Sequence, residues 1–161
     1  MVLAVVTFMS LHTLQRTQLL PIAVEEAWNF FSSPFNLSLI TPPEMNFKIL
    51  SSFKTGDQIF EGMLIDYFVS PLFNVPLRWQ TEISKVELLN FFIDEQRKGP
   101  FAVWHHEHSF KQCDGGTEMR DIGQWKVPFG FLGDIVNALL VQKKVEAIFS
   151  FREKKLRELF P

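Results

Sequence analysis

Between Phe92 and Phe129 the chain alternates apolar and polar positions in a way that fixes both its local structure and its chemistry. Phe92, Asp94 and Gln96 fall at a spacing of two, Gly99-Pro100 interrupts, and Trp104, His106, His108 and Phe110 resume the alternation. Beyond Asp114-Gly115-Gly116 the pattern returns in Met119, Asp121, Gly123, Trp125 and Val127. A β-strand sends every second side chain to one face. One face is therefore aromatic, with an inlay of carboxylate, amide and imidazole groups. Polar groups set into such a face suggest an internal cavity with a few placed hydrogen-bonding groups.

The turn sets a register. With Asp114 and Gly115 as turn residues, Cys113 lies opposite Gly116 and pairing runs outward. Phe110 then faces Met119, His108 faces Asp121, His106 faces Gly123 and Trp104 faces Trp125. A four-residue loop keeps these partners, whereas a three-residue loop shifts the register by one and destroys them. The even reading sets an imidazole beside a carboxylate and a bulky ring beside a glycine gap.

Elsewhere the periodicity predicts a strand over His12–Leu20, ended by Pro21, and a short helix over Val24–Ser33. Glu25 and Glu26 sit in the first turn of that helix, where its dipole favours them. Val24, Ala27, Trp28 and Phe31 form its apolar stripe. Ala23 is a poor N-cap, so the helix should depend on tertiary packing. A second helical turn follows around Asn36–Ile40. Strands are then expected over Phe47–Phe53, Gln58–Val69, Val75–Val86, Phe91–Lys98, Val103–Cys113 and Thr117–Val127. Connections this short imply an antiparallel meander. On the third of these strands Leu77, Trp79, Thr81 and Ile83 face one way, and Arg78, Gln80, Glu82 and Ser84 face water.

After Pro128-Phe129-Gly130 the period becomes helical. Leu132, Ile135, Val136, Leu139, Leu140, Val145, Ile148, Phe149, Leu156 and Leu159 share one broad stripe. Lys143, Lys144, Arg152, Lys154, Lys155 and Arg157 crowd the C-terminal half, where cations suit the dipole. The expected architecture is α+β: a curved antiparallel sheet wrapped around a long terminal helix, with two short helices after the first strand. Sheet and helix cannot fill the space between them, so a cavity results.

Composition narrows the picture. At 161 residues, with 47% hydrophobic and 21% charged residues, the chain fits one globular domain. Eighteen Phe against one Tyr favour a dry, wide, aromatic interior. A net charge of −2 provides no basic field for nucleic acid. Cys113 is the only cysteine, which excludes an intrachain disulfide or a multi-cysteine zinc site and makes a cytoplasmic location the default. Residues 1–9 are an apolar extension, far too short to span a membrane and without a basic start. They read as an upstream start with Met9 the natural beginning, as a few residues added to the first strand, or as a truncated signal core. Residues 10–161 form the expected domain.

Three readings apply to His106, His108 and Asp121. They form a satisfied buried network that fixes register, or a ligand-recognition cluster with Asp121 orienting His108, or a general acid/base pair. The same His-x-His could anchor a metal with Asp121 as third ligand, but two-histidine strand pairs are common, and neither metal nor cofactor is expected. Asp94 and Gln96 join this face if the connection at Gly99-Pro100 is odd-length or bulged; otherwise they cap backbone groups near the sheet rim. Trp28, Trp79, Trp104 and Trp125 serve as core or as ligand boxes. Glycoside hydrolysis is excluded because its carboxylates need a polar cleft. No phosphate loop, Ser-His-Asp signature or dinucleotide fingerprint is present.

Several segments together resemble a known family. They are Gln18-Leu19-Leu20-Pro21 with Trp28-Asn29-Phe30-Phe31, Asn36-Leu37 with Thr41-Pro42-Pro43, and Pro76-Leu77-Arg78-Trp79. Further along come Phe92-Ile93-Asp94-Glu95-Gln96, Gly99-Pro100-Phe101, Trp104-His105-His106-Glu107-His108, Gly115-Gly116-Thr117, Pro128-Phe129-Gly130 and Ile148-Phe149-Ser150-Phe151-Arg152. From about Ser10 onward the chain resembles the helix-grip superfamily of START-like, pollen-allergen-like and polyketide-cyclase-like proteins, also called SRPBCC. It looks like the bacterial stand-alone ligand-binding subgroup, which also occurs fused to nucleotide-sugar-epimerase-like domains. The resemblance is specific for fold and poor for function, since the superfamily hosts lipid carriers, aromatases, hydrolases and co-chaperones. Its implication is a binder of a lipid-like or aromatic small molecule, without nucleic acid or stable membrane insertion. The expected ligand contacts are Trp79, Phe92, Asp94, Gln96, Trp104, His106, His108, Phe110, Met119, Asp121 and Trp125. An enzyme of cyclase, dehydratase or hydrolase type using the His/Asp cluster is the alternative, with a protein-interaction module as a third class.

Overall fold

The computed structural model describes residues 10–71 and 73–161; the apolar run 1–9 lies outside the described residues. Seven strands form one antiparallel sheet: β1 (His12–Leu20), β2 (Lys48–Ile49), β3 (Leu64–Val69), β4 (Leu77–Glu87), β5 (Phe91–Lys98), β6 (Val103–Cys113) and β7 (Gly116–Lys126). Their spatial order is β1-β7-β6-β5-β4-β3-β2, a meander whose last strand pairs with the first. The sheet curves around a long C-terminal helical segment, giving the α+β helix-grip architecture expected from the pattern.

The β6–β7 register follows the turn. Phe110 pairs with Met119, His108 with Asp121, His106 with Gly123, and Trp104 with Trp125. Gly123 leaves room for Phe149: a Cβ there would stand 3.0 Å from Cζ of that ring, which would have to shift by a few tenths of an ångström. The β5–β6 connection leaves Asp94 opposite His106 and Phe92 opposite His108, the odd-length outcome that brings Asp94 onto the histidine face. A register shift between Ile83 and Lys85 lies directly across from Asp94; such bulges bend a strand and re-aim its side chains.

The second and third strands are shorter than the alternation predicts. Past β3 backbone pairing carries on only to Met63, which accepts from Ile83 N–H at 2.9 Å, and Gly62, whose N–H donates to Ile83 O at 2.7 Å. The chain then turns at Gly62, whose φ of 86° suits glycine. Upstream, Ile59 N–H donates to Ser32 O, so this segment seals the first helix instead of lengthening the sheet.

Helix α1 (Val24–Phe31) has no side-chain cap from Ala23. Its free Val24 N–H instead donates to Gln112 Oε1 on β6 at 3.0 Å. Trp28 anchors it edge-on against Phe92 and Phe110. Two 3₁₀ turns follow, Pro34–Ser38 and Pro43–Met45.

The terminal helix is not the uninterrupted stripe the sequence suggests. It runs as α2 (Gly130–Val136), a π turn over Asn137–Val141, and α3 (Gln142–Leu159). The wider turn offsets the faces of the two halves. It also buries Asn137, whose Oδ1 accepts from Trp125 Nε1–H at 2.7 Å. On α3, Val145 and Phe149 pack against Trp125, and Leu156 joins the core around Leu20 and Trp28.

Candidate functional site: a cavity with a buried His/Asp/Arg cluster

Between the sheet and α3 lies a cavity of about 650 Å³, within the size range of small-molecule sites. Its walls are almost wholly apolar, drawn from Phe30 and Phe31 of α1, Ile65, Val69 and Trp79 of the sheet, and Ile148 of α3, among others. Phe73 and Phe129, 83% and 81% exposed, stand at its rim. Both take the left-handed backbone region, with φ of 53° and 76°.

One polar group of residues interrupts this lining. His106 and His108 are 4% and 6% exposed, and Asp121 is 5% exposed. Their rings stand 3.9 Å apart, centroid to centroid. One edge of the pair faces Asp94: His108 Nε2 is 3.0 Å and His106 Nδ1 3.6 Å from Asp94 Oδ2. The opposite edge faces Asp121: His108 Nδ1 is 2.6 Å and His106 Nε2 3.1 Å from Asp121 Oδ1. Of these four contacts only His108 to Asp94 has the alignment of a hydrogen bond. The Asp121 contacts are close but out of line, leaving both nitrogens and that oxygen without a hydrogen-bond partner. Arg152 Nη1 of α3 donates to the other Asp121 oxygen at 3.2 Å.

The charges follow from this geometry. Burial opposes ionisation of Asp121, but the charges of His108, Arg152 and His106 hold its carboxyl well below the usual range. Asp94 is lowered too: burial works against its charge, but the hydrogen bond from His108 together with the charges of His106, His108 and Arg152 prevails. Burial also works against a charged His108, yet attraction to Asp121 and Asp94 prevails and raises its pKa to about 9. His106 goes the other way, lowered by burial and by its cationic neighbour. Two carboxylates, Arg152 and an imidazolium thus balance, with His106 neutral. Close by, Tyr67 Oη and Thr81 Oγ1 share a hydrogen bond at 3.1 Å on the cavity wall, and burial pushes the Tyr67 phenol up.

Of the residues expected from the sequence, Trp79, Phe92, Asp94, Trp104, His106 and His108 line the cavity. Gln96 shares the strand but caps backbone at the rim: its Nε2 donates to Phe101 O at 2.7 Å and its Oε1 accepts from Phe101 N–H at 3.2 Å. Phe110 and Met119 pack in the core beside Trp28, and Trp125 packs against Val145 and Phe149. Asp121 stands behind the histidines, beside a small separate space it shares with Gln18 and Arg152. Arg152, Tyr67 and Thr81 add to the polar lining; the alternation places Thr81 on this face but does not single out Arg152 or Tyr67. Among the described residues no helix is long and apolar enough to cross a membrane.

No protein-family model matches the sequence, and no curated protein does. Solved structures do. The Zhui aromatase/cyclase from Streptomyces sp. R1128 is similar at a TM-score of 0.69 and 12% identity, over 91% of this chain and 92% of that one. Protein CV1439 from Chromobacterium violaceum aligns at 0.67 and 14%, covering 92% and 96%. Ara h 8.0201 aligns at 0.58 and 11%, covering 92% and 99%. At such identities the likeness is one of fold, and the fold is the helix-grip of pollen-allergen-like and polyketide-cyclase-like proteins.

Proposed function

We propose that this protein binds one hydrophobic small molecule, lipid-like or aromatic, in the cavity between sheet and helix, in a cytoplasmic setting. The observation that carries the reading is a cavity of about 650 Å³ whose mostly apolar walls bring Asp94, His106, His108 and Arg152 together. Burial of ligand surface supplies the affinity, at about 25 cal/mol per Å². Asp94 and His106, facing the cavity, orient the ligand through one polar group. A neutral His106 suits an uncharged hydroxyl or carbonyl group.

A second reading has its own support. A neutral imidazole beside a carboxylate on a cavity wall is equipped to move a proton, and the fold is shared with an aromatase/cyclase.

One experiment addresses both. Native mass spectrometry of the purified chain identifies a retained small molecule, which is then incubated with fresh protein and recovered. The proposal expects a 1:1 complex and unchanged recovery, with His106→Ala weakening affinity by up to about tenfold. Conversion beyond stoichiometry that falls by about 10²- to 10⁴-fold in His106→Ala would establish the enzyme instead. Absence of any retained molecule, together with failure to bind fatty acids or polycyclic aromatics, would overturn the binding reading.

A further inference from the structure

One donor atom each from Asp94, His106 and His108 lie within 4.8 Å of one another. The facing atoms are His106 Nδ1, His108 Nε2 and Asp94 Oδ2, the last being 3.6 Å and 3.0 Å from the two nitrogens. Donors on a tetrahedral ion with bonds of about 2.0–2.2 Å stand roughly 3.3–3.5 Å apart. The two separations from Asp94 bracket that value, and all three donors lie within 4.8 Å of one another, so a small divalent ion fits among them once the histidine rings adjust.

The other half of the cluster has the form of an outer coordination shell. Metal-bound histidines commonly give their second N–H to a carboxylate, which fixes tautomer and ring orientation. Here the two remaining nitrogens, His106 Nε2 and His108 Nδ1, both lie against Asp121 Oδ1. These three buried atoms have no aligned hydrogen bond. With a metal on the Asp94 side both nitrogens carry a proton, and a small rotation of each ring turns both N–H groups onto the one oxygen. Arg152 holds the second oxygen of Asp121 and keeps that carboxylate away from the metal. The adjacent pairs Asp94–His106 and Phe92–His108 across β5 and β6 fix the strand spacing, so the three donors do not depend on a loop.

We propose that Asp94, His106 and His108 form a binding site for a divalent first-row metal ion, with Zn²⁺ the simplest occupant and Asp121 as the shared outer-shell acceptor. Two imidazole donors favour zinc, iron or nickel over calcium, which takes oxygen ligands alone. All three ligands line the cavity, so the remaining coordination position opens into it. With neutral histidines, two carboxylates and Arg152, a bound dication leaves a net charge of +1. With the metal bound, that charge favours an apolar molecule bearing one anionic oxygen group, a carboxylate or an enolate, in place of the uncharged group suited to the metal-free cluster. The metal site does not rest on the apolar-ligand proposal, since metal binding is read without any organic molecule present.

The test uses the full chain, freed of metal by dialysis against a chelator and titrated with Zn²⁺ by calorimetry and with Co²⁺ by visible absorption. One equivalent should bind with a Kd of about 1 µM or tighter, and Co²⁺ should show the intense bands of a four- or five-coordinate site. Asp94→Ala, His106→Ala and His108→Ala should each lose at least about 100-fold in affinity, and Asp121→Asn about 10- to 100-fold. His105→Gln and Cys113→Ser should bind as the wild type does. Weak or non-stoichiometric binding by the wild-type chain, or six-coordinate Co²⁺ bands alone, would overturn the site even if every ligand variant failed to fold. Equal affinity in the folded histidine variants would overturn it as well.

Discussion

His108 lies between two carboxylates inside an otherwise apolar shell, and its ionisation ties stability to pH. Its pKa rises from 6.5 to about 9 on folding of the metal-free chain. A group raised in this way contributes fully below its unfolded pKa, progressively less as pH climbs toward the folded value, and nothing beyond it. His106 has the opposite sign: its lowered pKa costs stability as pH falls below 6.5. Urea unfolding of chelator-treated protein should therefore give a lower midpoint at a pH of about 9.5 than at about 6.5, and His108→Gln should shrink that difference. A wild-type midpoint that is level or rising across this interval would contradict the assignment of an imidazolium. At this scale the sequence was partly legible. His108 and Asp121 were paired correctly because a turn nearby sets their register. Asp94 depended on whether the β5–β6 connection was odd, which composition alone does not decide. Arg152 was unreadable as a partner: six cations crowd that helix, and which of them turns inward depends on its rotation about its axis.

Among the elements, α1 is the one whose stability is borrowed. It is eight residues long and uncapped by Ala23, short for a helix that must stand alone. Trp28, 2% exposed, ties it to Phe92 and Phe110, and Gln112 caps it from β6. Trp28→Ala should cost about 3–5 kcal/mol, and Gln112→Ala about 0.5–1.5 kcal/mol through the lost N–H acceptor. Urea midpoints check both; near-wild-type stability of Trp28→Ala would show that α1 is not anchored there. The dependence of this helix on packing could be read from the weak cap, but not the identity of the capping side chain, which comes from a strand 88 positions away. The terminal helix shows the converse. Its apolar period is clear in sequence, yet the π turn at Asn137–Val141 leaves no such mark, because burying Asn137 against Trp125 is a tertiary event. Leu139, expected on the packed stripe, is 65% exposed, and Leu132, Ile135, Val136 and Leu140 of the same stripe are exposed as well.

The whole molecule is a sheet that grips a helix without closing on it, and the cavity is the space left over. Its aromatic walls follow from the Phe-rich composition, and its polar cluster comes from β5, β6, β7 and α3 together. That meeting of four elements explains why strand patterns revealed most of the cluster and missed its helical member. The central claim is that an apolar molecule occupies this space. Fluorescence titration with 1-anilinonaphthalene-8-sulfonate tests it when wild type is compared with Ile148→Trp, which places an indole inside the cavity from α3. Saturable 1:1 binding is expected for the wild-type chain, with a loss of at least about tenfold in the filled variant and its unfolding midpoint retained. Binding that does not saturate, or that is equally strong in the folded Ile148→Trp protein, would place the probe on the outer surface and contradict the claim.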